Sequence, residues 1–409
     1  MKLLFLCWAF FVCAAQSRAA IINAASASRA DVNTAIGLAS AGDTVVVPPG
    51  TESWSGGVTV SGITLQGPGK DAGSPCTITA GLLTITKHAT SNTTVSGFRW
   101  TGTGQHWAVG GTPSNAPFII HDCYIFNDGN EWANWTTNGG LVHGCEFEST
   151  PENYNDTSRI NLGGPGGNGL ASWQAATTMG EDDTTGLVNT YFENNVASYF
   201  SEVLLDFDNG ARCVVRSNVF YDIAFVTHGG GSGSSGQDTS SYGGRHVEFY
   251  WNDFIRQDGE VSLNKWQWQR GSTMVWAYNS MDDSSSSSYP NKDNIRLSVG
   301  CPGDPGHPMA YQVGQTTQTP DSTPDQPILI FGNTGAGAGD ITISGSSGGG
   351  ITCGTPSNYI QEGRDYDTSN SWGWVPYEYP HPLASVGEGG PSGTVRTHRG
   401  NQFQRGSVQ

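Results

Sequence analysis

The sequence predicts an all-β solenoid of stacked coils, and three observations predict it. First, residues 210–220, 244–254 and 271–281 align without gaps. Each segment opens on Gly, alternates apolar and polar residues, reaches Asn218, Asn252 or Asn279, and places Phe220, Phe254 or Met281 two positions later. A pattern that returns at roughly 30-residue spacing is the mark of a repeat architecture. Second, the alternation has period two, so Cys213 and Val215, Val247 and Phe249, and Met274 and Trp276 share an inward face. Arg212, Val214 and Arg216, then His246, Glu248 and Tyr250, then Thr273, Val275 and Ala277 share the outward one. Third, no helical period survives, because Gly, Asn, Ser and Thr interrupt every apolar run.

The Asn falls where the chain turns. Asn tolerates left-handed backbone and bonds locally. Identical amides on stacked coils can also bond one another along the axis. The register extends upstream through Phe118, Ile120, Cys123 and Ile125, through Val142, Cys145 and Phe147, and through Leu187, Thr190 and Phe192. Downstream it takes in Ile328, Ile330 and Asn333. The longer gaps, Cys145 to Thr190 and Asn279 to Asn333, hold either two coils or one coil with a long loop.

In chain order, residues 1–19 read as a secretory signal: Lys2, an apolar run over 3–15, and Ser17-Arg18-Ala19 as a small-x-small cleavage site. The run is too short to span a membrane. A secreted or cell-surface location follows, periplasmic in a Gram-negative source. Residues 28–40 are expected as a short helix, with Ser28 as cap, Asp31 at the capping-box position and Val32, Ala35, Ile36 and Ala39 as its apolar stripe. Laid over the first coil, it would shield an open sheet edge. Residues 43–50 form a buried strand and turn, and short strands follow at 58–60, 63–65, 77–79 and 82–86. Beyond Trp100 the turns lengthen, at 150–186, 229–244, 282–288 and 301–327. Long loops on a rigid solenoid gather on one face, the default binding surface. Residues 359–383, rich in aromatics and Pro, are expected as a strap closing the C-terminal end. Residues 384–409 have almost no apolar content and are expected to be disordered.

A chain of 409 residues with 57 Gly and 13% charged residues suits a solenoid, which grows by adding coils without splitting into domains. The net charge of -17 excludes nucleic acid and anionic membrane surfaces as partners. Loss of the signal leaves Cys76, Cys123, Cys145, Cys213, Cys301 and Cys353. An even count in an exported chain allows disulfides. Cys123 and Cys145 share an offset on successive coils, and a strand spacing of ~4.8 Å permits a bond between them; two stacked core thiols are the alternative. Cys301 and Cys353 are a second candidate pair, and Cys213 reads as an inert core residue.

The opening Asp31-Val32-Asn33-Thr34-Ala35-Ile36 with Gly42-Asp43-Thr44-Val45-Val46-Val47-Pro48-Pro49-Gly50 resembles the cap and first coil of the pectate-lyase-like, right-handed parallel β-helix superfamily. The closing Tyr359-Ile360-Gln361-Glu362-Gly363-Arg364-Asp365-Tyr366 and Tyr379-Pro380-His381-Pro382-Leu383 resemble the C-terminal signature of its secreted members. The resemblance implies a single-stranded right-handed parallel β-helix over residues 20–383. It implies no single activity, because lyases, hydrolases, esterases, tailspikes and adhesins share the fold. Of the polygalacturonase-type signatures only Asp182-Asp183 and His228 in Thr-His-Gly-Gly appear, and Ile120-His121-Asp122 is a poor echo of the pectate-lyase Trp-Ile-Asp-His. The acid-x-acid-x4-Lys run of alginate and chondroitin lyases has a counterpart in Asp258, Glu260 and Lys265, without the downstream Arg-His pair; Arg296 is the nearest stand-in.

A β-eliminating lyase must neutralise the substrate carboxylate, remove the proton beside it and protonate the leaving oxygen. Asp258 and Glu260 are the candidate Ca²⁺ ligands. Lys265 is the candidate base, a role that needs its pKa lowered, with His228, Arg270 and Arg296 assisting. Otherwise Lys265 and Arg270 are solvated residues flanking a strand beside Trp266 and Trp268. His246 and Glu248, with Arg212 and Arg216 at matching offsets, form either an acid/base cluster or a polar ladder. Asp206-Phe207-Asp208-Asn209-Gly210 lacks the distal Glu of a Ca²⁺ loop and reads as a turn. Trp107, Trp132, Trp135, Trp173, Trp266, Trp268, Trp372 and Trp374 fall in expected turns or outward sites, where exposed rings stack on sugars. The expected function is recognition of an extracellular polysaccharide, with Ca²⁺-assisted elimination as the enzymatic form. A non-catalytic adhesin or self-associating filament protein is the alternative.

Overall fold

The computed structural model describes residues 18–102, 104–126, 133–149, 160–163, 183–200, 203–208, 210–227, 244–256, 265–271, 273–282, 293–300, 328–346, 355–358 and 360–385. Residues 1–17 of the expected signal, His228, Asp258, Glu260, Cys301, Cys353 and the tail 386–409 lie outside them. So do Trp132, Trp173 and most of the expected long loops.

Short parallel strands stack into three sheets, one of twelve strands and two of ten. Each coil contributes one strand to each sheet in turn, which makes the molecule a parallel β-helix. The first sheet runs from Ile21–Asn23 to Tyr366–Asp367 and contains Arg212–Arg216, His246–Tyr250 and Thr273–Ala277. The second contains Val219–Tyr221 and Asp253–Ile255; the third contains Leu205–Phe207 and Lys265–Gln269. The strand Gly140–His143 pairs directly with Thr190–Glu193, and Thr273–Ala277 with Ile328–Phe331. Both long gaps are therefore single coils with insertions.

Inward side chains fill the coil as the alternation requires. Trp54, Phe98, Trp100, Trp107, Phe147 and Phe192 make a chain of ring contacts with centroids 5.2–6.4 Å apart. Trp107, Trp135 and Trp266 belong to this interior, so only Trp268 and Trp372 of the described candidate tryptophans keep substantial solvent exposure. The helix Arg29–Leu38 starts at Ser28, whose hydroxyl accepts from Asp31 N at 3.3 Å. It buries Val32 and Ala35 and packs on the strands Ile21–Asn23, Thr44–Val46 and Val58–Ser61.

The turn from first to second sheet is two residues long in coil after coil, and its second residue is Asn195, Asn218, Asn252, Asn279 or Asn333. These amides bond end to end. Asn195 Nδ2 donates to Asn218 Oδ1 at 3.1 Å, Asn218 to Asn252 at 2.9 Å, Asn252 to Asn279 at 3.0 Å and Asn279 to Asn333 at 3.1 Å. Each Oδ1 also accepts the backbone N–H of the preceding Asn, at 2.9–3.1 Å. The left-handed residue of the corner is not the Asn but the one before it: Asn194, Ser217, Trp251 and Tyr278 have φ of 56–58°. The Asn keeps ordinary backbone geometry so that its side chain can turn inward.

Cys123 and Cys145 occupy this same corner position in earlier coils, where the register makes them equivalent to the Asn. They are free thiols, and no disulfide occurs among the described residues. Each Sγ donates to the carbonyl two residues back, His121 O at 3.2 Å and His143 O at 3.5 Å. The stacked-thiol alternative is the one observed.

The aromatic C-terminal segment divides in two. Ile360 is buried in the core cluster, and Tyr366–Asp367 pairs with Ile328–Phe331 as the last strand of the first sheet. Residues 371–385 instead turn back along the outer flank of the first sheet. Trp374, Tyr377 and Leu383 pack on a second apolar layer made by the outward side chains Ile119, Leu141, Tyr191, Val214, Val275 and Leu329. The segment's final turn, Pro382–Ser385, reaches the strand Gly140–His143.

Candidate functional site

The structure separates the candidate residues onto two faces. His246 and Glu248 lie on the first sheet beneath the flank segment, both fully buried. Parallel pairing puts Arg212 beside His246 and Arg216 beside Tyr250, as the matching offsets require. His246 Nε2 and Glu248 Oε1 are 2.9 Å apart, and His246 Nδ1 is 2.7 Å from Thr273 Oγ1. Glu248 Oε2 accepts from Trp374 Nε1. One rung earlier, Arg216 Nε donates to Glu193 Oε2 at 2.7 Å, and its Nη1 donates to Tyr250 Oη and Tyr377 O. Burial works against the Arg216 charge, but Tyr250 and Glu193 beside it outweigh burial and hold the guanidinium above its ordinary range. These residues form a ladder that is sealed rather than solvated, and it fastens residues 371–385 to the coil.

Lys265 and Arg270 meet at the Trp268 ring on the third sheet, and Arg296 is the register partner of that Trp. The strand Lys265–Gln269 pairs with Asp293–Gly300 so that Trp268 and Arg296 are register partners. Gln267 and Gln269 align with Ile295 and Leu297, which face the core, so Trp268 and Arg296 face out. Lys265 Nζ lies 4.7 Å from the centre of the Trp268 ring and the Arg270 guanidinium 4.8 Å from it. The indole Nε1 donates to Ser298 Oγ at 2.8 Å, which shares a 2.6 Å bond with Ser344 Oγ. A cation beside an indole face gains about 0.5–2 kcal/mol, enough to fix where Lys265 and Arg270 stand.

The same outward column runs back along the third sheet through Val226, Asp206, Asn161, Asn134 and Ala108. Asp206 and Asn161 are buried, and Asn134 Oδ1 and Asn161 Oδ1 have no hydrogen-bond partner among the described residues. This oxygen row escaped the sequence reading. Its signal was the shared apolar–polar–apolar form of Ala133-Asn134-Trp135, Ile160-Asn161-Leu162 and Leu205-Asp206-Phe207, and Asp206 is in a strand where a turn was expected. Among the described residues no group of three His, Cys, Asp or Glu is arranged to hold a metal.

The long connections border this sheet on both margins. They join Glu148 to Ile160 and Ile255 to Lys265 on the incoming side, and Leu162 to Thr190 and Thr227 to His246 on the outgoing side. The first-to-second turn stays two residues long both at the Asn corners and at Cys123 and Cys145, and the long insertions attach instead at the strands of the third sheet.

No family model matches the sequence, and no curated protein matches it at a significant level. A solved structure similar to this chain is the alginate lyase from Paenibacillus sp. str. FPU-7, at 16% sequence identity and a TM-score of 0.41, the match covering 68% of this chain and 97% of that one. No helix among the described residues is long and apolar enough to cross a membrane.

Proposed function

We propose that the outer face of the third sheet binds an acidic extracellular polysaccharide and cleaves it by β-elimination. The observation that carries this reading is the outward column from Asn134 to Arg296, bordered on both margins by the long connections. A polymer lying along the coil axis passes Asn134, runs over the buried Asn161 and Asp206, and meets the cations around Trp268 two rungs beyond Asp206, roughly 10 Å on. Arg296 and Arg270 pair with sugar carboxylates, since a guanidinium matches a carboxylate bidentately. That pairing offsets the repulsion expected from a chain of net charge -17.

In the elimination, Lys265 as the free amine removes the proton on the carbon beside the carboxylate. The electron pair becomes the new carbon–carbon double bond, and the glycosidic carbon–oxygen bond breaks. The departing oxygen takes up a proton from an acid, with His228, Arg270 and Arg296 the assisting groups that the sequence offers. Ca²⁺ suits the oxygen row, because hard cations take oxygen ligands and two buried amide oxygens there have no described partner. Asn134 and Asn161 would hold it, Asp258 and Glu260 being the sequence's own candidates for that role, and it would neutralise a substrate carboxylate.

The test is incubation with a panel of uronic-acid polymers, with Ca²⁺ or with a chelator, following the ultraviolet absorbance of the unsaturated product. Product from the wild type and none from Lys265→Ala supports elimination. Binding without product, equal in both proteins, supports the non-catalytic adhesin. Neither binding nor product across the panel removes the polysaccharide reading.

A further inference from the structure

We infer that His121 and His143 form a two-imidazole site for a borderline divalent transition metal, of the class Cu²⁺, Ni²⁺ or Zn²⁺, on the flank of the first sheet. The two residues are register partners on consecutive rungs. Their rings are stacked, with centroids 5.1 Å apart and planes 17° apart. They belong to the outward column that continues into Glu193 and Arg216. Glu193 and Arg216 are sealed under residues 371–385, whereas the two imidazoles are half-buried, where the final turn Pro382–Ser385 reaches the strand Gly140–His143.

Their ring nitrogens set the pair apart. His246 and His381 have both nitrogens engaged by protein groups. His88 Nδ1 accepts from Thr90 N, and His106 Nε2 is bonded to Gly102 O. The ring nitrogens of His121 and His143 bond to no described residue. Metal binding requires the neutral imidazole.

A metal bonds imidazole nitrogen at about 2.0–2.1 Å, so two ligating nitrogens stand about 3–4 Å apart. Parallel rings one rung apart reach that separation by tilting toward each other. Imidazole donors favour Cu²⁺, Ni²⁺ and Zn²⁺, whereas Ca²⁺ and Mg²⁺ require oxygen. Water completes the coordination. Glu193 on the next rung is committed to Arg216 and to His381 N, and Asp122 faces Lys70. The site is separate from the third-sheet face and stands without the polysaccharide reading.

The test titrates tag-free full-length protein with Cu²⁺ and Ni²⁺ by calorimetry and records the Cu²⁺ spectrum by electron paramagnetic resonance. The expected result is a site with two nitrogen donors, tighter for Cu²⁺ than for Ni²⁺, whose occupancy Ca²⁺ does not compete away. His121→Asn and His143→Asn, made separately so that a folding failure in one leaves the other, each weaken that site on the order of tenfold or more and leave one nitrogen. His88→Asn leaves it unchanged. Wild-type affinity and spectrum in a folded His121 or His143 variant, or no bound ion in the wild type, overturns the assignment.

Discussion

Trp374 Nε1 donates to Glu248 Oε2 at 3.1 Å, joining an indole near the end of the chain to a carboxylate on the coil that carries Asn252. The other Glu248 oxygen faces His246, so one carboxylate satisfies two buried groups. Glu248→Ala strands both, and each orphaned group costs about 1–3 kcal/mol. Trp374→Phe keeps much of the ring contact and removes one donor, so it costs less. Urea unfolding at constant m-value measures the difference. A Glu248→Ala protein within about 0.5 kcal/mol of wild type, the range of an ordinary surface change, would sink the anchoring role.

Arg216 and Glu193 are each 0% exposed, and their 2.7 Å bond sits beneath Tyr377 and His381. Removing one member of such a pair leaves a buried charge and costs about 3–5 kcal/mol. Arg216→Met is expected to fall in that range, and adding Glu193→Met to recover part of the loss. A double-mutant cycle with purely additive effects refutes the coupling.

Asn252 sits mid-row. Its Oδ1 serves Asn218 N and Nδ2, and its Nδ2 serves Val215 O and Asn279 Oδ1. Asn252→Ala leaves several buried groups unbonded and should cost more than about 3 kcal/mol at 1–3 per group. Asn333 is half-buried at the end of the row, so Asn333→Ala should cost clearly less. Equal thermal shifts in the two variants would contradict the ladder.

Burial lowers the folded-state pKa of His121 to about 4 and of His143 to about 3, from an ordinary 6.5. The unfolded chain therefore takes up protons first as pH falls. Stability tied to these rings is intact above pH 6.5 and is lost as pH falls from there toward the folded values. Ring C–H resonances that do not titrate above pH 5, and a pH–stability slope that flattens in His143→Asn, are the expected readouts. A midpoint near 6.5 for both rings would show that they are solvated.

The coil was legible because the period-two pattern, the opening Gly and the corner Asn agree in three consecutive segments, and the interior admits only one register. The flank layer was less so. Ile119, Leu141, Tyr191, Val214, Val275 and Leu329 are apolar at outward positions, which signals a cover, but nothing local says which segment provides it. Residues 371–385 meet it through contacts as distant in sequence as Arg216 to Tyr377. The third-sheet column was hidden for a different reason. Its strands are three residues long at Asn134, Asn161 and Asp206, too short for alternation to stand out from turn sequence.

In a stack of repeats each unit ordinarily touches only its neighbours, so partial melting from either end is cheap. Residues 371–385 break that independence. By gripping rungs from Leu329 back to Leu141, they make those coils hold or fail together, and this chain should melt in one sharp transition where an uncovered solenoid would unzip by degrees.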